Sequence, residues 1–427
     1  MAHLLEQLEE ARERTRELVA PVSDDDLRRQ HDRLMSPILW DLGHVAHFEE
    51  LWLTQNLDGP IRFAEMPGMY NPFEHPRRGR GELVYPTQAD CRQLMQEIRN
   101  RVVERLTRLV LDPTNPLLRD GYVVSMVLQH EYQHNETILQ TLQLKAGAPY
   151  HPTRRVVPPA AAMTVPTGAM ARFPGGTVLV GTDDRTAAYD NERPRHSVTL
   201  APFRIDVAPV RNGEYIAFME DGGYARREHW SDAGWEWLQE ARVRAPRYWR
   251  LAEGTWLSRT MDRDGPVDPA HPVCHVCYHE ADAYARWSGQ RLPTEFEWEA
   301  AATWDSVRGV ALDYPWGDDA PSARHANVDQ LAFGTSAVGT YPATSPVGCV
   351  DMIGNVWEWT ASDFRGYPGF EAFPYPEYSA VFFGNDYKVL RGGSWATRSG
   401  AARPTFRNWD YPIRRQIFAG FRCARDD

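Results

Sequence analysis

The chain is poor in the features that mark secreted, membrane-spanning or nucleic-acid-binding proteins. It has 5 cysteines in 427 residues, an odd and thinly scattered set that builds no disulfide framework. No apolar run approaches the roughly 20 residues a membrane helix requires. Positive charge is not in excess: the formal net charge is -11, which argues against nucleic acid or an anionic membrane as a partner. The first residues, Met1-Ala2-His3-Leu4-Leu5-Glu6, run straight into a charged amphipathic pattern with no secretory signal. A reducing cytoplasm is the expected location. What remains is an ordinary soluble composition, 42% hydrophobic and 25% charged, long enough for two or three domains with real cores.

The most informative segment is Gln129-His130-Glu131-Tyr132-Gln133-His134-Asn135-Glu136. His130 and His134 lie four apart in a helical pattern, about one turn, so both imidazoles leave the same face and suit one metal ion. Val123, Met126, Val127, Ile138 and Leu142 share that stripe and turn it inward. A third candidate ligand is His44 in Trp40-Asp41-Leu42-Gly43-His44, on a helix whose apolar stripe includes Trp40, Phe48, Leu51 and Trp52. Buried histidines need partners, and a metal supplies one. His47, three residues on, is the competing ligand. The string from His130 to His134 also fits the H-E-x-x-H zinc-protease pattern, with Glu131 as general base. Imidazole suits iron, zinc, copper and nickel alike, so the ligands do not name the metal.

Residues up to about 147 read as four helices: Leu4 to Leu18, Ser36-Pro37 to about Asn56 with Ser36 as N-cap, Thr87 to Leu111, and about Arg119 to Lys145. Four helices with long connections predict a bundle whose metal site is built from facing helices. Residues 151–174 read as a Pro- and Ala-rich linker, separating a domain over 1–150 from one over 175–427. The second half is rich in Gly, Pro, Trp and Tyr, with short strands (Thr177 to Val180, Ser197 to Ile205) and helices at Gly213 to Met219, Tyr278 to Ser288 and Glu295 to Ala302. The predicted class is therefore α followed by α+β, with little regular structure in the second domain. Long loops of this kind shape pockets.

Four motifs carry a family resemblance: Arg291-Leu292-Pro293-Thr294-Glu295-Phe296-Glu297-Trp298-Glu299-Ala300, Asp351-Met352-Ile353-Gly354-Asn355-Val356-Trp357-Glu358-Trp359, Arg391-Gly392-Gly393-Ser394-Trp395 and Gly420-Phe421-Arg422. Together they resemble the formylglycine-generating-enzyme (sulfatase-modifying factor) fold, a relative of C-type lectins. The first half, through His44, His130 and His134, resembles the DinB-like four-helix metal-binding superfamily. Both modules in this order are similar to the iron-dependent sulfoxide synthases of ergothioneine biosynthesis (the EgtB type). Phe406-Arg407-Asn408-Trp409-Asp410-Tyr411-Pro412-Ile413-Arg414-Arg415-Gln416 looks like that family's substrate-binding signature. A true formylglycine-generating enzyme needs redox cysteines after the Gly-Gly-Ser-aromatic motif. Residues Ser394 to Ala402 contain none, and thiolate chemistry cannot run without a thiol. Cys274-x-x-Cys277 lacks a second pair, and it and Cys423 are read as structural.

The resemblance implies Fe(II) held by His44, His130 and His134, with three coordination positions left open. It implies that O2 drives coupling of a cysteine sulfur to imidazole C2 of hercynine, the trimethylated histidine, giving a sulfoxide. Glu131 then becomes a supporting or structural residue. Tyr375 is the implied proton donor, with Tyr378 as a substrate contact and Tyr367 and Tyr387 as alternatives. Gln133, Asn408 and Trp409 suit the quaternary ammonium, which aromatic faces and amide oxygens hold best. The thiol donor is γ-glutamylcysteine or free cysteine; Arg80 fits its carboxylate and Asp410 its ammonium, with Arg77 and Arg78 the competing arginines. The alternatives are an ovothiol-type histidine synthase, which differs in pocket shape, and a zinc hydrolase or transferase.

Overall fold

The computed structural model describes residues 1–58, 60–61 and 66–427, which divide into two compact units. The first comprises Met1–Thr153 with two short segments, Asp184–Tyr189 and Ala372–Tyr378; the second holds the rest.

In the first unit, helices α1 (Ala2–Val19), α3 (Ile38–Glu50), α4 (Gln88–Arg108) and α5 (Tyr122–Leu144) form the bundle, with a short α2 (Asp24–Arg28) between the first two. Helix α1 packs on α5, and α3 packs on both α4 and α5. Local chemistry sets the ends. Thr87 caps α4 in a reciprocal capping box with Asp90, satisfying two of the orphan amides at a helix start. Before α5 the chain turns through positive φ at Asp120 and Gly121. At α3 the expected cap is displaced by one residue: Pro37 precedes Ile38, and no side chain caps the helix. The Ser36 hydroxyl instead accepts from Arg80 Nη1 at 2.7 Å. Helix α3 continues into a π-helical turn, Leu51–Gln55, reaching Asn56 as the periodicity predicts. It is buried almost throughout, from Ile38 to Phe48 with His47 alone partly exposed, which makes it the central element of the bundle.

Four buried charges cross this core. Arg12 of α1 donates from Nε to Glu131 Oε1 of α5 at 2.9 Å and from Nη2 to Glu49 Oε2 of α3 at 2.6 Å. Arg99 of α4 donates from Nε to Glu49 Oε1 at 2.6 Å. Thr15 Oγ1 adds a 2.7 Å bond to Glu131, and Asn135 Nδ2 donates to Thr15 Oγ1 at 2.8 Å. All four helices are thus tied by two guanidiniums facing two carboxylates, a balance that buried charge requires.

The second unit is built from small sheets and loops. Strands β1 (Met170–Phe173), β2 (Gly176–Val180), β3 (His196–Leu200) and β4 (Phe203–Asp206) open it. The first lies within the stretch expected as linker. The single strand expected over Ser197 to Ile205 is two, broken at Ala201-Pro202, because β3 pairs with β2 while β4 pairs with β1. Helices α6 (Asn212–Glu220) and α7 (Asp232–Ala241) precede a meander of β5 (Trp249–Ala252), β6 (Thr255–Thr260) and β7 (Arg263–Pro266). Then come α8 (Tyr278–Trp287), α9 (Glu295–Thr303) and the pair β8 (Trp304–Asp305) and β9 (Val310–Ala311). Strands β10 (Trp357–Asp363), β11 (Lys388–Arg391), β12 (Asn408–Asp410) and β13 (Ala419–Gly420) make a four-stranded sheet, and β14 (Ala424–Asp426) returns to pair with β4.

The residues that carry the sequence resemblance here are mostly core. Arg422 holds Glu358 through Nε at 2.6 Å and Nη2 at 2.7 Å, and Trp298 Nε1 donates to the same carboxylate at 2.7 Å. Arg407 grips Glu295 at 2.7 and 2.9 Å. In place of long sheets, this unit is held by buried ion pairs between segments distant in sequence. No helix among the described residues is long and apolar enough to cross a membrane.

Candidate metal centre

Helices α3 and α5 present His44, His130 and His134 to one point: their ligand nitrogens all lie within 4.8 Å of one another, and His44 Nε2 is 3.2 Å from His130 Nε2. Two outer contacts orient the rings. His44 Nδ1 donates to the Tyr70 carbonyl at 2.9 Å, and His134 Nδ1 donates to Asp41 Oδ1 at 3.1 Å. A carbonyl or carboxylate can only accept, so Nδ1 carries a proton in both rings and Nε2 is the nitrogen left for a metal. Burial first, and the neighbouring His134 next, hold His44 and His130 well below the ordinary imidazole pKa. Converging, pre-oriented imidazoles, two of them held neutral by burial, suit a metal ligand set.

Aromatic rings fix the same residues from behind. Phe48 stacks on His130 with centroids 3.7 Å apart, and Trp40 stacks on His44 at 4.6 Å. Gly43 allows one of these contacts to exist. A Cβ there would sit 2.0 Å from Tyr70 Cε1, so only glycine lets Tyr70, whose carbonyl holds His44, approach the helix. His47 does not join the cluster; its ring lies against Tyr70 at 4.9 Å.

Glu131 points the other way, into Arg12, Thr15 and Arg99. Its carboxylate is held below the ordinary range by those guanidiniums against the opposing effect of burial. As the base of an H-E-x-x-H hydrolase it is on the wrong face of the helix.

The first unit also gathers a set of tyrosines. Tyr375 is buried, stacked on Trp52 at 5.1 Å and edge-on to Phe48 at 6.5 Å, one ring removed from His130. Tyr378 stacks on Tyr189 at 4.3 Å, and Gln133 Nε2 donates to both hydroxyls, at 3.3 and 2.7 Å. Tyr367 and Tyr387 belong to the second unit. There Tyr367 lies under the Arg407 guanidinium, and Tyr387 donates to the Tyr411 hydroxyl at 2.8 Å.

Of the three arginines in the 77–80 segment, Arg77 and Arg78 are exposed and Arg80 is buried. Its guanidinium lies 3.4 Å over the Trp40 ring and donates from Nε to the His75 carbonyl at 2.8 Å. Burial and Arg77 push its pKa down to about 9, which leaves it a cation at neutral pH. Asn408, Trp409 and Asp410 are half-buried on β12 of the second unit. Trp409 stacks on Phe364 at 4.1 Å, and Asp410 pairs with Arg414 at 3.2 Å.

Sequence reasoning assigned no part to Asp41, the Tyr70 carbonyl, Tyr189 or Trp52. Asp41 had a signal, because it stands three residues before His44 and so shares its face; a backbone carbonyl has none.

Residues 154–427 match the sulfatase-modifying factor enzyme 1-like domain family, and residues 7–138 match the DinB superfamily. A hercynine oxygenase from Mycolicibacterium thermoresistibile is 45% identical, over 100% of this chain and 95% of that protein. Another from Mycobacterium tuberculosis is 43% identical, over 98% and 97%. A formylglycine-generating enzyme from Thermomonospora curvata is 35% identical but aligns with only 60% of this chain. In the second unit Cys277, Cys349 and Cys423 are buried and burial raises their thiol pKa values, so these thiols suit packing better than catalysis.

Proposed function

Because the chain belongs to the hercynine oxygenase family of oxidoreductases, we propose that it is an Fe(II)- and O2-dependent sulfoxide synthase. It joins the sulfur of γ-glutamylcysteine, or of cysteine, to imidazole C2 of hercynine. The observation that carries this reading is the all-imidazole cluster of His44, His130 and His134, with Glu131 withdrawn into an ion-pair core. A carboxylate-free set leaves room for substrates on the metal and provides no hydrolytic base. We assign the metal site to residues 1–150 and the formylglycine-generating-enzyme-like fold to 175–427, with 151–174 between them; a reducing cytoplasm suits five free cysteines.

Ferrous iron at the three histidines would supply the dioxygen chemistry that no side chain carries. The protein's part is to bind, orient and deliver protons. Tyr375, a buried phenol fixed by Trp52 and Phe48, is the assigned proton donor, since a phenol keeps its proton until a strong base forms nearby. Tyr378 and Gln133 form one hydrogen-bonded group with Tyr189, and the stacked tyrosine faces suit a quaternary ammonium. Asn408 and Trp409 are assigned to the same substrate. Arg80 is assigned to the thiol's carboxylate and Asp410 to its ammonium.

The test is aerobic incubation of the Fe(II)-loaded protein with hercynine and each thiol, followed by product mass. A sulfoxide adduct is expected with one thiol favoured. His44→Ala, His130→Ala and His134→Ala should each lose iron, while His47→Ala retains it. Full activity with zinc in place of iron refutes the oxidative reading.

A further inference from the structure

The second unit contains a cavity of about 680 Å³, a volume typical of small-molecule sites. None of its wall belongs to the histidine cluster or to the residues assigned to substrate. Helix α6 contributes Gly213, Glu214 and Ala217, and α8 contributes Tyr284 and Trp287. Spacings of three and four put each group on one helical face. Two small residues on the α6 face leave the volume open, and two aromatic rings line the other side.

The charges around it are unbalanced. Arg211 pairs with Glu214 at 3.3 Å, and Arg422 pairs with Glu358 at 2.6 Å. Asp206, at the end of β4 and on the cavity wall, accepts from the Cys423 amide at 2.8 Å. Among the described residues it has no ion-pair partner. Three carboxylates therefore face two guanidiniums, and Tyr284 and Cys423 stay neutral because burial raises both pKa values. Burial likewise pushes the Asp206 carboxyl up to about 7, with Glu214 adding to the rise and Arg422 opposing it. The carboxylate makes no direct ion pair and is hydrogen-bonded by the Gln290 side chain as well as the Cys423 amide; beside it the wall combines the Tyr284 and Trp287 rings with the Arg211–Glu214 pair.

We propose that this cavity is a second binding site, specific for a small organic cation with an apolar body. The charge of the ligand pairs with Asp206, and its hydrocarbon part lies against Tyr284 and Trp287, whose faces favour a cation. Binding requires Asp206 ionised, so protons compete with the ligand and affinity falls as pH drops from 8 towards 6.

Isothermal titration calorimetry with benzyltrimethylammonium, benzylamine and neutral benzyl alcohol tests this on the full chain at pH 8. Both cations should bind and the alcohol should not; a preference between the cations tells a quaternary from a protonated amine site. Asp206→Asn keeps the acceptor for the Cys423 amide and should weaken binding about 10- to 100-fold, the size of a lost charged contact. Ala217→Phe projects a ring into the cavity and should weaken binding at least severalfold; Trp287→Ala, weakening it severalfold, stands in if that variant fails to fold. Gln133→Ala, which alters the other candidate cation site, should leave this binding intact, and Asp206→Asn should leave turnover unchanged. Absence of binding at millimolar cation, equal binding of the alcohol, indifference to Asp206→Asn, or loss in Gln133→Ala overturns the proposal.

Discussion

Replacing Glu131 by glutamine separates a structural carboxylate from a catalytic one. In the folded bundle Glu131 accepts from Arg12 at 2.9 and 3.2 Å and from Thr15 at 2.7 Å, and lies 3.6 Å from Arg99. The side chains of Arg12, Arg99, Glu49 and Glu131 are at most 2% exposed. Glutamine keeps the shape and one acceptor but leaves two buried guanidiniums facing one carboxylate. Breaking a buried pair in this way costs about 3 to 5 kcal/mol. For a unit of this size each kcal/mol moves the midpoint by about 2 to 4 °C, so Tm should fall by roughly 6 to 20 °C. The ligands His44, His130 and His134 are untouched, so iron content measured in the cold should stay near wild type. Scanning calorimetry and metal analysis on one preparation check both. A variant with unchanged Tm, full iron and no turnover would refute the reasoning, because the carboxylate would then act in the chemistry.

Three further outcomes are expected. Asp41→Ala removes the acceptor for His134 Nδ1 and should weaken metal binding about 10- to 100-fold in a chelator competition; equal affinity would show that the ring needs no such support. Gly43→Ala sets a Cβ 2.0 Å from Tyr70 Cε1, so it should cost about 1 to 3 kcal/mol of stability and lower metal affinity as the Tyr70 carbonyl shifts; an unaltered Tm sinks the packing argument. Asp351 lies buried in the second unit with its carboxyl pKa raised by burial to about 6. A raised carboxyl holds its proton to higher pH in the fold, so its contribution to stability is fully present below pH 4 and is lost as pH rises through 6. Asp351→Asn keeps an acceptor for the Gly339 amide and suits the positive φ there; at pH 7.5 it should add roughly 3 kcal/mol, and near nothing at pH 4. An equal gain at both pH values would contradict the titration.

The elements that could be read from the chain are those specified locally. Helix α4 begins where Thr87 and Asp90 form a capping box, and α5 carries a continuous apolar stripe through Val123, Val127, Ile138 and Leu142. The meander β5 to β7 was not anticipated. Its residues alternate weakly, and no strand of it is fully buried, so pairing rather than periodicity determines it. The break between β3 and β4 has a local cause in Pro202, yet which partner each half takes depends on strands 16 or more residues upstream and on the far C-terminus.

The site shows the same division. On α5, His130 and His134 share one face, while Glu131 and Asn135, one residue on from each, lie about 100° further round on the next. Periodicity reveals both faces and leaves open which is chemical, because each carries polar groups that need partners. Arg12, Glu49 and Arg99 settle that, and they come from three other helices with no short-range pattern linking them to Glu131. Once two guanidiniums claim Glu131, its face is committed to the core, and the histidine face is left to α3, where Asp41 and His44 wait one turn apart. A bundle helix can thus separate structural charge from metal chemistry by a single residue step, and the H-E-x-x-H spacing alone cannot distinguish this arrangement from a hydrolase.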